Sequence, residues 1–299
     1  MVITPPSACS AVSRALDEPF AGTAATATTW LCLEQPGPWG RDALVGSHLD
    51  GGVGARLVAR SAGTGVRVVL VRRPGSHPDR HRVVPRRVLL AHTVPGAGWL
   101  RSGSLLDPRD LLDLDLAALG AGAHGGFGEP VVGPVLLVCT NGRRDVCCAV
   151  RGRPVAGELA AEFGDAVWEA THLGGHRFAP TGLLLPTGYA YGGLDVGRGR
   201  ELLAGGEVVL RGCRGRSTWV AAGQVAELAV RALTHTVDPE VLHVRSCERD
   251  EDGDRRVVVW HVDGRGWRVT VTERDLGARP VSCGVDPAPA TALVVSRID

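Results

Sequence analysis

The hydrophobic pattern of the chain changes from weakly periodic to clearly structured near Trp30. From there, short runs rich in leucine and valine alternate with longer segments whose apolar residues recur at helical spacing, which is typical of α/β proteins. The first unit is predicted to contain strands at residues 30–34, 66–72, 87–93 and 98–105 and helices at residues 41–49, 53–61 and 111–119.

A second unit repeats this plan. Pro154 is expected in the first turn of one of its helices, with Gly164 at the end of that helix. The predicted order β-α-β-β-β-α is that of a thioredoxin-like fold, and the similar order in the first unit is compatible with a pseudo-duplication. The predicted strands are residues 135–138, 166–171, 182–186 and 189–194, and the predicted helices are residues 154–163 and 219–234.

The character of the sequence changes again after about residue 238. Three β-branched or alternating runs, at residues 241–246, 255–262 and 267–272, predict strands that precede a polar tail containing proline. The predicted organisation is a mobile N-terminal arm or short helix at residues 1–28, an N-terminal α/β domain at residues 29–125, a thioredoxin-like domain at residues 126–238 and a small β-rich region at residues 239–299.

Charge and composition exclude several classes of partner. The formal net charge of the 299 residues is +1, which gives no electrostatic basis for binding nucleic acid or an anionic membrane. No apolar run approaches the roughly 20 residues of a membrane span, and the first residues lack the pattern of a secretory signal. We therefore expect a cytoplasmic protein. In that compartment the 8 cysteines indicate thiols, metal ligands or redox chemistry rather than a disulfide framework.

One glycine-rich segment matches a nucleotide-binding motif by spacing alone. Gly120, Gly122 and Gly125 fit G-x-G-x-x-G. That motif requires a strand before it and a helix after it. Here a predicted helix precedes the motif and a further glycine- and proline-rich stretch follows it, so we interpret residues 120–134 as a linker.

Candidate chemistry is concentrated between Cys139 and His176. Cys139 follows a predicted buried strand, Cys148 lies nine positions later, and His172 and His176 follow the next predicted strand of the unit. Neighbouring parallel strands deliver their carboxyl-end loops to one edge of a sheet. Thiolates and imidazoles gathered in this way form the ligand set of a metal centre.

Several residues around these ligands are expected to support them. Gly174 and Gly175 suit a loop that passes close to a bulky group. The guanidinium groups of the neighbouring arginines would offset thiolate charge or donate hydrogen bonds to the ligands. Asp145 is expected to pair with Arg144 and hold the loop. The supporting residues are Arg143, Arg144, Asp145, Cys147, Gly174, Gly175 and Arg177.

The other cysteines have less informative positions. Cys147 adjoins Cys148, so either of the two could be the second thiolate ligand, and the spare thiol could be a core residue or a redox-exchangeable neighbour. The remaining five have no ligand-like spacing and are interpreted as structural: Cys9, Cys32, Cys213, Cys247 and Cys283.

The segment from Cys139 to Pro180 resembles the signature of the sucrase/ferredoxin-like family, the thioredoxin-like ferredoxins. The resemblance rests on CTNGRRDVCC and HLGGHRFAPT, with further likeness in EQPGPWG, which contains Trp39, and in LLLPTGYAYG. It implies a 2Fe–2S cluster with two cysteine and two histidine ligands. Carried over position by position, these ligands are Cys139, Cys148, His172 and His176.

The resemblance therefore implies an electron-transfer protein with redox donor and acceptor proteins that the sequence does not identify. No flavin or nicotinamide motif is present, so we expect an electron carrier rather than a stand-alone enzyme. Nothing resembles the paired carboxylates of a glycosidase, so a sucrase activity is not supported.

Two other functions are compatible with the same residues. The first is a structural Cys2His2 zinc site, although the usual zinc spacings are shorter than the one between Cys139 and Cys148. The second is a metal-free thiol–disulfide oxidoreductase that uses the vicinal pair Cys147 and Cys148, although no Cys-x-x-Cys opens a helix.

Overall fold

A computed structural model describes residues 8–75, 84–251 and 253–299. The helices are α1 (Cys9–Ala15), α2 (Ala43–Gly46), α3 (Gly51–Ser61), α4 (Leu116–Gly120), α5 (Val146–Phe163), α6 (Val196–Ala204) and α7 (Ala221–Thr234). The strands are β1 (Thr29–Glu34), β2 (Val66–Arg72), β3 (Arg86–His92), β4 (Trp99–Leu105), β5 (Glu129–Pro130), β6 (Val135–Cys139), β7 (Val167–Ala170), β8 (Gly182–Leu185), β9 (Tyr189–Tyr191), β10 (Cys213–Arg216), β11 (Leu242–Arg249), β12 (Arg255–His261), β13 (Gly266–Arg279) and β14 (Ala288–Ile298). Short 3-10 turns cover Pro108–Asp113, Gly164–Ala166 and His176–Phe178.

Both predicted α/β units contribute to one sheet. Its ten strands run in the order β10-β9-β8-β6-β7-β2-β1-β3-β4-β5. In the first half β1 is parallel to β2 and antiparallel to β3, and in the second half β6 is parallel to β7 and antiparallel to β8. The two halves meet where β2 pairs antiparallel with β7. The molecule is therefore a mixed α/β protein with a continuous central sheet.

Side chains of the central strands alternate between two hydrophobic cores, as the two-residue period of a strand requires. Trp30 and Cys32 of β1 face the core that also contains Cys139 and Cys148. Leu31 and Leu33 face the opposite core, which is covered by α3 and α4. Because every one of these residues is buried, β1 is an interior strand with both faces covered.

The N-terminal segment contains the short helix α1, and three residues of this helix, Cys9, Ser10 and Ser13, are buried. A mobile arm or a short helix was predicted at residues 1–28, of which residues 1–7 lie outside the described part of the chain. The C-terminal segment forms a separate four-stranded sheet, β11-β12-β13-β14. Apolar side chains of α7, among them Val225 and Val230, pack against this sheet.

Three local predictions were wrong. Pro154 lies inside α5, because Asp145 caps this helix and starts it at Val146, eight residues earlier than predicted. The tail interpreted as polar contains β14, which pairs along the length of β13. The predicted helix at 111–119 is divided into a 3-10 turn and α4. In addition, helix α6 and strand β10 were not predicted.

Candidate metal centre

The carboxyl ends of β6 and β7 bring two predicted ligands to one edge of the sheet. The strands are parallel, and Cys139 at the end of β6 is in register with Ala170 at the end of β7. His172 follows two residues after Ala170. The Cys139 side chain is buried, and the N–H of Thr140 donates to the carbonyl oxygen of Ala170 over 3.0 Å, which keeps the strand ends together.

Helix α5 places Cys148 against Cys139. Asp145 accepts a hydrogen bond from the N–H of Cys147 over 2.9 Å, which fixes the first turn of the helix. Gly152 lets the helix approach the strand, because a Cβ at this position would overlap the carbonyl oxygen of Cys139. The sequence leaves either vicinal thiol as the second ligand; Cys148 faces Cys139, whereas Cys147 contacts Cys9 and Cys283.

A side-chain hydrogen bond between the two thiols shifts their pKa values in opposite directions. The hydrogen bond from Cys148 holds the pKa of Cys139 well below its ordinary range, burial opposes this effect, and His172 adds to the lowering. The same hydrogen bond raises the pKa of Cys148, and burial raises it further. Cys139 is therefore the more acidic of the two thiols. A thiolate is the form of cysteine that binds metal.

His172 and His176 lie together on the loop after β7, with their ring centroids 5.2 Å apart. Gly174 and Gly175 between them have φ values of +85° and +64°, a conformation that favours glycine. Nδ1 of His172 and both ring nitrogens of His176 are buried without a hydrogen-bond partner. Burial lowers the pKa of His176, although nearby Asp145 opposes this effect, so the ring is held in the neutral form that binds metal.

The predicted supporting residues have mixed roles. Arg177 donates to Glu18 Oε1 over 2.6 Å and so is paired with the segment after α1. Arg143 is exposed. The expected pair between Arg144 and Asp145 is not among the ion pairs of the described residues. Oδ2 of Asp145 instead lies 3.9 Å from Nε2 of His176. The Asp145 carboxylate also accepts hydrogen bonds from the backbone N–H groups of Cys147 and Cys283.

Arg214 supports the histidine loop, and the sequence carried no signal for it. Its guanidinium is buried under Gly175, donates to the carbonyl oxygen of Gly174 over 3.0 Å and also contacts Thr23. Burial lowers the pKa of Arg214 to about 10, the nearby Arg177 lowers it too, and the thiol of Cys139 opposes both effects. The group therefore places positive charge beside the ligands without contacting solvent.

A buried ion pair supports the other side of the site. Arg72 Nη2 lies 2.7 Å from Glu169 Oε2, and the Thr140 hydroxyl donates to the same oxygen over 2.9 Å. The Arg72 guanidinium also lies 3.9 Å from the centre of the Trp39 ring. Trp39 thereby stabilises the strand end that carries Cys139, which gives a physical role to the tryptophan in EQPGPWG.

The five cysteines interpreted as structural do not all stand alone. Cys147 Sγ lies 3.2 Å from Cys283 Sγ and 3.9 Å from Cys9 Sγ. Among the described residues, one group has at least three potential metal-binding atoms within 4.8 Å of one another. It consists of Cys9, Asp145, Cys147 and Cys283. Among the four predicted ligands, Cys139 contacts both Cys148 and His172, and the ring of His172 lies beside that of His176.

An open depression borders the ligand loop. His172 and Asn141 line it, together with one carboxylate, Asp42, and three arginines: Arg41, Arg67 and Arg144. Because the arginines outnumber the carboxylate, this accessible side of the site carries a net positive charge.

The comparisons with known proteins place the chain in a family. The sucrase/ferredoxin-like family matches residues 20–232, so the chain belongs to this family. Neither the curated proteins nor the solved structures contain a match. In the part of the chain that the structure describes, none of the helices has the length and apolar character needed to cross a membrane.

Proposed function

We propose that this member of the sucrase/ferredoxin-like family transfers single electrons through a 2Fe–2S cluster bound by Cys139, Cys148, His172 and His176. The observation that carries the proposal is the set of buried imidazole nitrogens without partners on His172 and His176. Buried polar atoms without partners are costly and rare. A bound metal would satisfy them, together with the sulfur of Cys139, whose pKa is lowered by the hydrogen bond from Cys148.

The spacing of the ligands favours two metal ions over one. A single tetrahedral zinc, with bonds of about 2.3 Å to sulfur, requires its ligand atoms to lie within about 3.8 Å of one another. The described ligands do not form such a compact group of three or four. In a cluster with mixed ligands, two cysteines hold one iron and two histidines hold the other, and here Cys139 contacts Cys148 while the rings of His172 and His176 lie side by side.

When bound, the cluster would supply a one-electron redox couple. The residues of the chain set its properties. Two neutral imidazoles in place of two thiolates make the site less negative, and the buried Arg214 adds positive charge. Both effects favour the reduced state. The second ring nitrogen of each histidine can hold a proton, so electron uptake would be coupled to proton uptake there.

The accessible side of the site indicates where an electron would enter or leave. His172 reaches the depression lined by Arg41, Arg67 and Arg144. Positively charged rims attract partners with acidic surfaces and increase their association rates. We therefore expect the redox partner to present a negatively charged surface to this depression.

The strand order of the central sheet supports a proposal about the fold. Strands β2-β1-β3-β4 and β7-β6-β8-β9 have the same order and the same relative directions. This repetition supports two thioredoxin-like halves related by duplication, with the ligands in the second half.

All eight cysteines are free, which supports a reducing compartment such as the cytoplasm.

The proposal is tested by anaerobic purification, a visible spectrum and EPR after reduction with dithionite. We expect a coloured protein that contains iron and acid-labile sulfide and gives a reduced signal of low average g. Cys139→Ser, Cys148→Ser, His172→Ala and His176→Ala should each lose most of the iron. Cys147→Ser is the matched control, because its thiol contacts Cys9 and Cys283 rather than Cys139, and it should retain the iron.

A protein that stays colourless after iron–sulfur reconstitution would contradict the proposal. A potentiometric titration provides a second test. The reduction potential should fall in the range of mixed cysteine–histidine centres, about −150 to +300 mV, rather than near the −400 mV or so of all-cysteine ferredoxins. It should also decrease as the pH rises, because reduction is coupled to protonation of imidazole. A pH-independent potential would contradict histidine ligation.

A further inference from the structure

Three thiols from distant parts of the chain meet beside the first turn of α5. Cys9 comes from α1, Cys147 from α5 and Cys283 from the hairpin tip between β13 and β14. Their sulfur atoms lie 3.2 Å (Cys147 to Cys283), 3.5 Å (Cys9 to Cys283) and 3.9 Å (Cys9 to Cys147) apart. They form a triangle of nearly equal sides.

The carboxylate of Asp145 closes this triangle. Its Oδ2 lies 3.5 Å and its Oδ1 3.8 Å from Cys9 Sγ. The N–H of Cys283 and the hydroxyl of Ser282 both donate to Oδ2, over 2.8 and 3.0 Å. Oδ1 accepts hydrogen bonds from the N–H of Cys147 over 2.9 Å and from the thiol of Cys9 over 3.8 Å. Loss of the Cys9 proton on metal binding would free one of the two lone pairs of Oδ1 for the metal.

These distances fit a tetrahedral metal ion better than a disulfide. The S–S bond of a disulfide is about 2.05 Å long and joins only two of the three thiols. Tetrahedral zinc with Zn–S bonds of about 2.3 Å places its sulfur ligands about 3.8 Å apart and uses all four groups. Soft thiolates select zinc over hard cations such as magnesium or calcium.

We propose that Cys9, Cys147, Cys283 and Asp145 bind a zinc ion at a structural site separate from the paired cysteine–histidine ligands. Binding releases the thiol protons to solvent and leaves three thiolates and one carboxylate on the metal. Cys9 and Cys283 lie outside the region that matches the family, residues 20–232. The ion would therefore join the N-terminal helix and the C-terminal hairpin to the start of α5, one residue from Cys148.

The first test measures zinc and iron in the intact protein purified anaerobically, and in Cys9→Ser and Cys283→Ser. Cys247→Ser is the matched control for Cys283→Ser, because both thiols are half-buried. We expect about one zinc ion per chain in the intact protein and in the control, and little zinc in the other two variants. Zinc retained in both Cys9→Ser and Cys283→Ser would overturn the proposal.

This test is independent of the proposed electron transfer. Zinc that had replaced iron at Cys139 would persist in Cys9→Ser, whereas zinc at the new site would be lost. An iron-free protein with zinc that depends on Cys9 and Cys283 would remove only the electron-transfer proposal. Iron retained by a protein without zinc would remove only the proposal made here.

A second measurement needs no variant. Alkylation of the native protein, followed by mass mapping, should show Cys283 protected with zinc bound and reactive after removal of zinc by a chelator. Cobalt added to the zinc-depleted protein should give thiolate-to-cobalt charge-transfer bands and the visible absorption of tetrahedral Co²⁺. Absence of both bands, or a disulfide between Cys147 and Cys283 in freshly purified protein, would overturn the proposal.

Discussion

The backbone N–H of Cys283 donates to Oδ2 of Asp145 over 2.8 Å. This bond joins the tip of the C-terminal hairpin to the residue that caps helix α5. The first turn of α5 carries Cys148. The four-stranded C-terminal sheet is therefore connected to the ligand helix as well as to α7.

Asp145→Ala should destabilise the protein by about 1–3 kcal/mol, because it removes a helix cap and leaves buried donors on Cys147 and Cys283 without an acceptor. Urea denaturation of the metal-free protein measures this change without a contribution from the proposed zinc ligand role of Asp145. Asp195→Ala, which removes the cap of α6 at a more exposed position, is the control and should cost about 1 kcal/mol. Equal effects of the two substitutions would show that the bond to Cys283 contributes nothing.

Gly152→Ala should reduce both stability and iron binding, because the new Cβ would overlap the carbonyl oxygen of Cys139 and push α5 away from β6. The effect should be about 1–3 kcal/mol, as for other overpacked positions. Gly157→Ala in the same helix is the control. A Cβ at Gly157 would meet open space, so this variant should gain about 0.5–1 kcal/mol from helix propensity. Thermal unfolding and iron analysis of both variants test the prediction, which fails if Gly152→Ala behaves like its control.

Glu227→Ala should destabilise the protein by about 3–5 kcal/mol, because it leaves the guanidinium of Arg231 buried without its countercharge. Both side chains are fully buried, and Tyr189 also donates to Glu227 over 2.5 Å. Tyr189→Phe, which removes the hydrogen bond to Glu227 and the one accepted from Arg231 but keeps the ion pair, should cost about 1–2 kcal/mol. Urea denaturation distinguishes these values, and similar losses in the two variants would contradict a dominant role for the ion pair.

Stability should decrease as the pH falls from about 7 to 5, and His92 should contribute to this dependence. Burial lowers the pKa of His92 below its ordinary value of 6.5, and the nearby Arg216 lowers it further. The unfolded chain therefore binds a proton at a pH where the folded protein does not. The stability that depends on neutral His92 is present above about pH 6.5 and is lost as the pH falls through the folded pKa.

The His92→Gln variant should show a smaller slope of unfolding free energy against pH in this range than the unsubstituted protein. Urea denaturation of the metal-free protein at several pH values gives both slopes. Identical slopes would show that His92 titrates alike in the folded and unfolded chains.

Much of the secondary structure follows from local sequence. The strand β2 was predicted with its observed bounds, and β1 and β6 within one residue, because their continuous apolar runs are typical of strands buried on both faces. Family membership was predicted from CTNGRRDVCC and HLGGHRFAPT and is confirmed. The ligand assignments that the resemblance implied stay predictions. Pro154 misled the assignment of α5, since proline favours a first turn while the Asp145 cap starts the helix earlier.

The sequence by itself determined the order of the first four strands in each half and the residues whose chemistry stands out, because both are properties of neighbouring positions. It did not determine α6, β10 or β14. Only the tertiary structure decided that the two halves share one sheet through β2 and β7, and that Cys9, Cys147 and Cys283 meet. Cys9 and Cys283 are 274 positions apart, and no periodicity connects positions so distant. Their sulfur atoms lie close together because α1 and the C-terminal hairpin both pack against the start of α5, and this packing depends on how the whole chain buries its apolar surface.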